Sequence, residues 1–318
     1  MKTITGLLVV MFGFLTSSVI ALTMPLVVVG NPGNAGEISG EDGNMGPRIC
    51  GSVDYLYSIG KYEVTAGQYT EFLNAVAKTD TYGLYNESMW NNNYGCKIQR
   101  IGSSYSVASD QANRPVNFVS FWDACRFTNW LTNGQPTGTQ NTSTTESGSY
   151  TPGSSSRNTG ARWVVTSEDE WYKAAYHKND GVTSNYFDYP TSSDLAPGQN
   201  MADMSGNNAN YYTAPYTYPI DSGKYTTVAG EFQDSISPYG TFDQGGNLLE
   251  INESGLLRGG SFGSEDNSLR ASFRYSHMGL GEERETIGFR VALVPEPATA
   301  SLLGLGLGSL EFFRRRRV

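Results

Sequence analysis

Apolar residues recur with a helical period in three places along this chain, all before residue 180, and nowhere after. In "AGQYTEFLNAVAK", Tyr69, Phe72, Leu73 and Val76 fall at i, i+3, i+4 and i+7, with Thr65 ahead of them as N-cap. In "RPVNFVSFWDACRFTNWL", Ser120 and Asp123 form a capping box, and Phe121, Ala124, Cys125, Thr128 and Leu131 share a face. In "TSEDEWYKAAYH", Ser167 and Glu170 cap the helix, Trp171, Ala174 and Ala175 turn inward, and first-turn acids suit the dipole. Strand-like runs occur at Leu26–Val29, within "YLYSIGKYEVT", at Leu256–Arg258 and at Gly288–Val294. The pattern predicts an α+β domain: a few early helices, then irregular chain with small antiparallel sheets.

Between the second and third helices lies "NGQPTGTQNTSTTESGSYTPGSSSRNTG", which has almost no apolar area to bury and predicts a mobile surface loop. Composition agrees with a loop-rich body. Of 318 residues, 38% are hydrophobic and only 17% charged, too few charges for the exposed faces of a helical bundle.

Both ends read as addresses. Residues 1–21 have one lysine, an apolar run from Leu7 to Leu15 and small residues at Val19 and Ala21, the layout of a secretory signal peptide. Residues 295–318, "PEPATASLLGLGLGSLEFFRRRRV", join Pro-Glu-Pro to a short apolar run and four arginines. The run falls below the roughly 20 apolar residues of a stable span, and Glu311 interrupts it; the arginines would hold the end on the cytoplasmic side. This order of parts resembles the PEP-CTERM sorting signal of exported bacterial proteins. The resemblance implies an exosortase-type membrane protease as a partner, transient membrane insertion of the tail, and a body at the cell surface or outside the cell. The body between, residues 22–294, is acidic: the net charge is −9 even with the tail's arginines included. Such a surface repels phosphate backbones and argues against nucleic acid as a partner.

Three cysteines, Cys50, Cys96 and Cys125, lack any C-x-x-C spacing, which disfavours a zinc or thioredoxin-like site. Outside the cell a Cys50–Cys96 disulfide is the most plausible pairing, since Cys125 falls within a predicted helix. The two histidines are His177, at a helix end suited to a dipole contact, and His277, in a loop beside Met278. A Ser264–His277–Asp266 hydrolase lacks the nucleophile-elbow motif.

The segments "YEVTAGQYTEFLNAV", "RPVNFVSFWDACRFTNWL", "ARWVVTSEDEWYKAAY" and "SPYGTFDQGGNLLEI", followed by "LRGGSF" and "IGFRVA", resemble in this order the formylglycine-generating enzyme, or sulfatase-modifying factor, family. The resemblance implies an elaborated C-type-lectin-like fold over residues 22–294. Catalytic members oxidise a sulfatase cysteine and hold copper(I) with two cysteines shortly after Gly-Gly-Ser. Counting from Ser261, those positions match Ser264 and Leu269, or Ser268 with a one-residue gap. A hard hydroxyl cannot replace a soft thiolate for copper(I), so no copper is expected. A branch using three histidines and iron is excluded by the count of two.

Family members also hold calcium through loop oxygens, and the resemblance matches Asn247 and Glu250 to one such site and Asn210 with Asp221 to a second. The bland alternative is a turn cap at Asn247 and an arginine partner for Glu250. Arg258, Arg270, Arg274 and Arg290 could clamp a carboxylate or sugar acid, or bridge Glu265, Glu282 or Glu283. The many tyrosines offer faces for glycan stacking, while most of the tryptophans fall in or near helices and read as core. The reading is an exported, non-catalytic member that binds a glycan or protein partner. The alternative is a formylglycine-generating or related oxidase with a non-standard site.

The exported protein is expected to lack Arg314–Arg317, which C-terminal peptide mapping checks directly. Recovery of an intact Val318 in a host that has the protease would sink the sorting expectation. Changing the four arginines to Ser should make unprocessed or misplaced protein accumulate.

Overall fold

The computed structural model describes residues 21–295 except 216, 221–222 and 277–278. The leader, nearly all of the tail, Asp221 and His277 therefore lie outside the described residues. All three predicted helices form where their caps stand. Helix α1 (Ala66–Val76), α3 (Phe121–Thr132) and α4 (Glu168–Tyr176) each carry a complete capping box, on Thr65, Ser120 and Ser167. Each cap is worth about 1 kcal/mol because it satisfies backbone N–H groups that would otherwise face no acceptor. A single turn, α2 (Ser88–Asn91), was not signalled by any period.

Two sheets organise the rest. One has the order β1 (Leu26–Val29), β5 (Tyr57–Gly60), β13 (Val291–Leu293) and β8 (Trp163–Val165), all antiparallel. The other runs β12 (Ile287–Gly288), β9 (Leu249–Ile251), β10 (Leu256–Arg258), β11 (Phe273–Ser276) and β3 (Asp42–Gly43), with parallel pairings at both edges. Two hairpin pairs, β2 (Glu37–Ser39) with β4 (Arg48–Cys50) and β6 (Ile98–Ile101) with β7 (Ser104–Val107), complete it. After α4 the described residues hold no α-helix, only a 3₁₀ turn at Asp266–Leu269.

The predicted helix faces build the main core. Phe72 packs its ring 5.3 Å from both Phe127 and Trp130, and Phe127 lies 5.5 Å from Phe289. These rings are essentially without exposure. A second cluster forms around Trp171, Tyr172 and Tyr176 on α4. Phe289 sits between β12 and β13, and its neighbour Arg290 leaves on the other side of the chain toward Glu250. One dipeptide thus joins the apolar core to a buried ion pair.

Two expectations fail here. The cysteines are free and buried, with Cys50 in the Trp171 cluster and Cys96 in the main core, so the expected Cys50–Cys96 disulfide does not form. The polar stretch 133–160 is not a mobile loop. Asn129 on α3 donates to the Thr145 and Tyr150 carbonyls, and its own oxygen accepts the Tyr150 N–H. Tyr150 is fully buried against Phe121. Arg157 clamps the segment by pairing with Glu170 at 2.7 Å and Glu253 at 2.6 Å. Composition counts apolar area, whereas this segment is held by satisfied polar groups.

Arg157→Ala strands Glu170, whose side chain has 0% exposure, without its cation. It should cost about 3 kcal/mol of stability. Denaturant titration measures that loss, and limited proteolysis should begin to cut residues 134–156 in the variant while sparing them in the wild type.

Candidate functional site

Strand alternation sorts the second sheet into two chemically opposite faces. Leu257 stands opposite both Ile251 and Tyr275, and Ile287 stands opposite Leu249, which places these apolar and aromatic side chains on one face. One step along each strand, Glu250, Arg258 and Arg274 take the other face, with Arg258 opposite Glu250.

The apolar face opens into a cleft of about 230 Å³. Leu249, Leu257 and Ile287 line it, and the rings of Phe273 and Tyr275 lie there with nearly parallel planes, 4° apart in orientation. Its polar lining comes from Ser264, Ser268, Ser276, Thr286 and the mutually paired Glu282 and Arg284. No lining residue is a thiol.

The charged face is buried. Glu168 Oε1, at the start of α4, accepts from Arg258 Nη2 at 2.6 Å and Nε at 3.1 Å, and from Arg274 Nε at 3.2 Å. Arg258 also donates to the Ala271 carbonyl and Ser39 Oγ. Burial pushes the Glu168 carboxyl upward, but Arg258, then Arg274 and Arg48, outweigh it and hold the group below the usual carboxylate range. Beside this set, Glu250 receives Arg290 on both oxygens and Trp171 Nε1 at 2.7 Å. Arg290 spends its remaining donors on the Gly60 and Phe242 carbonyls. Glu63 and Asp243 lie in the same field. Burial, then the charges of Glu250 and Asp243, push the Glu63 carboxyl far up, and burial pushes Asp243 to about 6.

The Gly-Gly-Ser turn joins the two faces. Gly259 and Gly260 both have left-handed φ, 89° and 71°. A Cβ on Gly259 would meet the Gln244 carbonyl oxygen at 2.4 Å, and one on Gly260 would meet Leu269 at 2.7 Å. Only glycine fits both the conformation and the approach. Reciprocal bonds clamp the turn to the 246–247 loop: Gly246 N–H donates to the Gly259 carbonyl, and Phe262 N–H to the Asn247 carbonyl.

The sequence-selected residues disperse into different roles. Ser264 and Ser268 both line the cleft, whereas Leu269 is fully buried. Arg258, Arg274 and Arg290 are internal bridges to Glu168 and Glu250 rather than to Glu265, Glu282 or Glu283. Arg270 alone of the four is exposed, donating to the Tyr189 hydroxyl at 2.8 Å. Glu250 has both oxygens engaged as described. Asn247 Oδ1 already accepts from Asn210 Nδ2, Thr227 N and Thr227 Oγ1. Neither side chain keeps an oxygen directed at an ion, so this pair does not fit calcium. Asn210 Oδ1, by contrast, is buried without a hydrogen-bond partner, an unmet acceptor that a cation would satisfy.

His177 departs from its expected dipole role. Its Nδ1 accepts from the Asn179 N–H and lies 2.7 Å from the Tyr239 hydroxyl, and burial holds its pKa below the ordinary value, which disfavours the cation that a dipole contact needs. Sequence reasoning missed Glu168 as an arginine partner, having read it only as a first-turn acid. It also missed Phe273 and Tyr275, whose alternation over four residues was the available signal.

Because the Glu168 pKa is lower folded than unfolded, its stabilisation is present above the ordinary 4.5 and is lost as pH falls below it. Glu168→Gln should cost about 3–5 kcal/mol near neutral pH, leaving two buried arginines without their anion. Urea melts from pH 7 to pH 3 check both points: the variant's stability should fall less steeply through the acid limb.

The sulfatase-modifying factor enzyme 1-like domain model matches residues 27–294. A search of curated sequences finds no match. Among solved structures, CarF is similar at a TM-score of 0.52 and 20% identity, covering 86% of this chain and 99% of its own. PvdO from Pseudomonas aeruginosa is similar at a TM-score of 0.50 and 17% identity, covering 85% of this chain and 95% of its own. At these identities the likeness is one of fold, and it agrees with the few helices and small sheets of a C-type-lectin-like body. With the domain match spanning most of its length, this chain belongs to the sulfatase-modifying factor enzyme 1-like family.

Proposed function

We propose that this protein is an exported ligand-binding member of its family, delivered by its leader, processed at its Pro-Glu-Pro tail, and not an oxidase of cysteine. The observation that carries this reading is the cleft itself. It presents the hydroxyls of Ser264 and Ser268, which the family resemblance sets against the metal-binding cysteines if a one-residue gap is allowed, beside an aromatic wall of Phe273 and Tyr275. Hydroxyls, one carboxylate and one guanidinium do not fit copper(I), which requires soft donors. What the lining does offer is apolar contact with hydrogen-bonding groups around it, the composition of a binding pocket. The buried arginines serve this function indirectly, as the frame behind the cleft.

Calcium has one supporting feature, the unmet oxygen of Asn210, whose expected companion Asp221 lies outside the described residues. Bound there, the ion would stabilise the two loops that carry Asn210 and Asn247.

Three results are expected. The purified protein leaves a sulfatase-type cysteine peptide unconverted with or without copper, and an aldehyde product in the mass spectrum would overturn the non-catalytic reading. Ser268→Trp, which fills the cleft, releases the protein from the surface polymer of its producing cells without changing its Tm; undiminished retention would remove the cleft as the binding site. Calcium at about 100-fold excess over Kd stabilises the wild type by about 2.7 kcal/mol and Asn210→Ala by much less, read by thermal melts.

A further inference from the structure

Beside the cleft lies a row of tyrosines, joined to it by one backbone hydrogen bond. Ser264, which lines the cleft, accepts the Tyr212 N–H on its carbonyl at 2.9 Å. From Tyr212 the ring centroids step 6.1 Å to Tyr218, 5.6 Å to Tyr225 and 4.4 Å to Tyr94. Phe262, one residue beyond the Gly-Gly-Ser turn, is buried beneath Tyr225 and Tyr94, at 5.6 and 5.9 Å. Tyr94 is 39% exposed, and the other three tyrosines are half-buried. Tyr225 holds a left-handed φ of 60°, an unfavourable conformation for a bulky residue, and Asn210 Nδ2 bonds its carbonyl at 2.8 Å. The backbone is therefore constrained where it presents this ring.

We infer that the cleft and the tyrosine row form one groove for a neutral carbohydrate chain, the cleft holding one sugar and the row stacking those that follow. The inference rests on the cleft being the binding site. Tyrosine rings combine an apolar face with a polar tip, which suits a sugar's C–H face and hydroxyl edge. The cleft at about 230 Å³ is smaller than the range of drug-sized pockets, so it takes a single ring rather than a large ligand. Four aliphatic hydroxyls, on Ser264, Ser268, Ser276 and Thr286, line it; Ser264 Oγ accepts the Ser261 N–H, Ser268 Oγ donates to Asn267 Oδ1 and Ser276 Oγ accepts from Asn44 Nδ2, which leaves lone pairs on the cleft serines to accept from sugar hydroxyls. Charge selects among carbohydrates. Glu282 neutralises Arg284, and Glu265 and Asp266, between the two cleft serines, outnumber the exposed Arg270 that follows them, so a polyuronate or sulfated chain is disfavoured.

Calorimetry of the exported protein with glucose and N-acetylglucosamine oligomers, monomer to hexamer, tests this, with polygalacturonate as the charged control. Affinity should climb with chain length in at least one series. Tyr225→Ala should weaken the hexamer about tenfold and leave the monomer unchanged, whereas Tyr275→Ala should weaken every length. Circular dichroism and an unchanged Tm confirm that the variants fold. Length-independent affinity, or a climb that survives both Tyr225→Ala and Tyr218→Ala, overturns the row while leaving the cleft intact. Binding insensitive to Tyr275→Ala and Ser268→Trp would instead overturn the cleft. Capture of polygalacturonate, of peptides only, or of neither neutral series overturns the carbohydrate assignment.

Discussion

One buried carboxylate, Glu168, constrains the architecture more than any other group. It begins α4, and through Arg258 and Arg274 it ties that helix to β10 and β11. The Cys50 thiol lies 3.6 Å from the same oxygen. Burying an ion is costly, and two arginines around a single anion are tolerable only because nearly every remaining N–H finds an acceptor. Arg258 shows how: its fork reaches Glu168, the Ala271 carbonyl and Ser39, while its plane lies over the Tyr172 ring, 5.0 Å from the centroid. Lysine could not meet that set of directions. The Glu250–Arg290 pair repeats the device and connects β9 to the main aromatic core through Phe289.

This arrangement separates framework from surface. Since side chains alternate along β9, β10 and β11, committing one face to buried charge leaves the opposite face to the apolar and aromatic residues of the cleft. The cleft lining can then change its chemistry without disturbing what holds the sheet. The Gly-Gly-Ser turn keeps its shape whatever that lining carries, because its glycines are required by backbone approach.

Polar satisfaction also explains why so little regular structure suffices. The Ser- and Thr-rich segment before β8 is ordered through Asn129, Asn133 and Arg157, which reach its backbone or flank it with buried ion pairs. Asn247 does the same for the loops at 210 and 227. Such segments carry few apolar contacts, and their order depends on hydrogen bonds whose partners lie far apart along the chain.

What the chain determines by itself is whatever depends on neighbours within one or two turns. Capping boxes at Thr65, Ser120 and Ser167, the inward faces of three helices, and the strands at 26 and 256 follow from local periodicity and local hydrogen bonds. The ordered family segments, too, were readable, as was the absence of any cysteine after Gly-Gly-Ser. Tertiary structure decided the rest. Arg258, Arg274 and Arg290 looked like ligand clamps because their partners, Glu168 and Glu250, lie up to 106 residues away or across a register that no local pattern specifies. Cys50 and Cys96 looked pairable, yet packing sent them to separate cores. The cleft itself exists only once β9, β10, β11 and β12 are in register, because four strands drawn from different stretches of sequence must align their odd positions on one face before Leu249, Leu257, Tyr275 and Ile287 can enclose a volume.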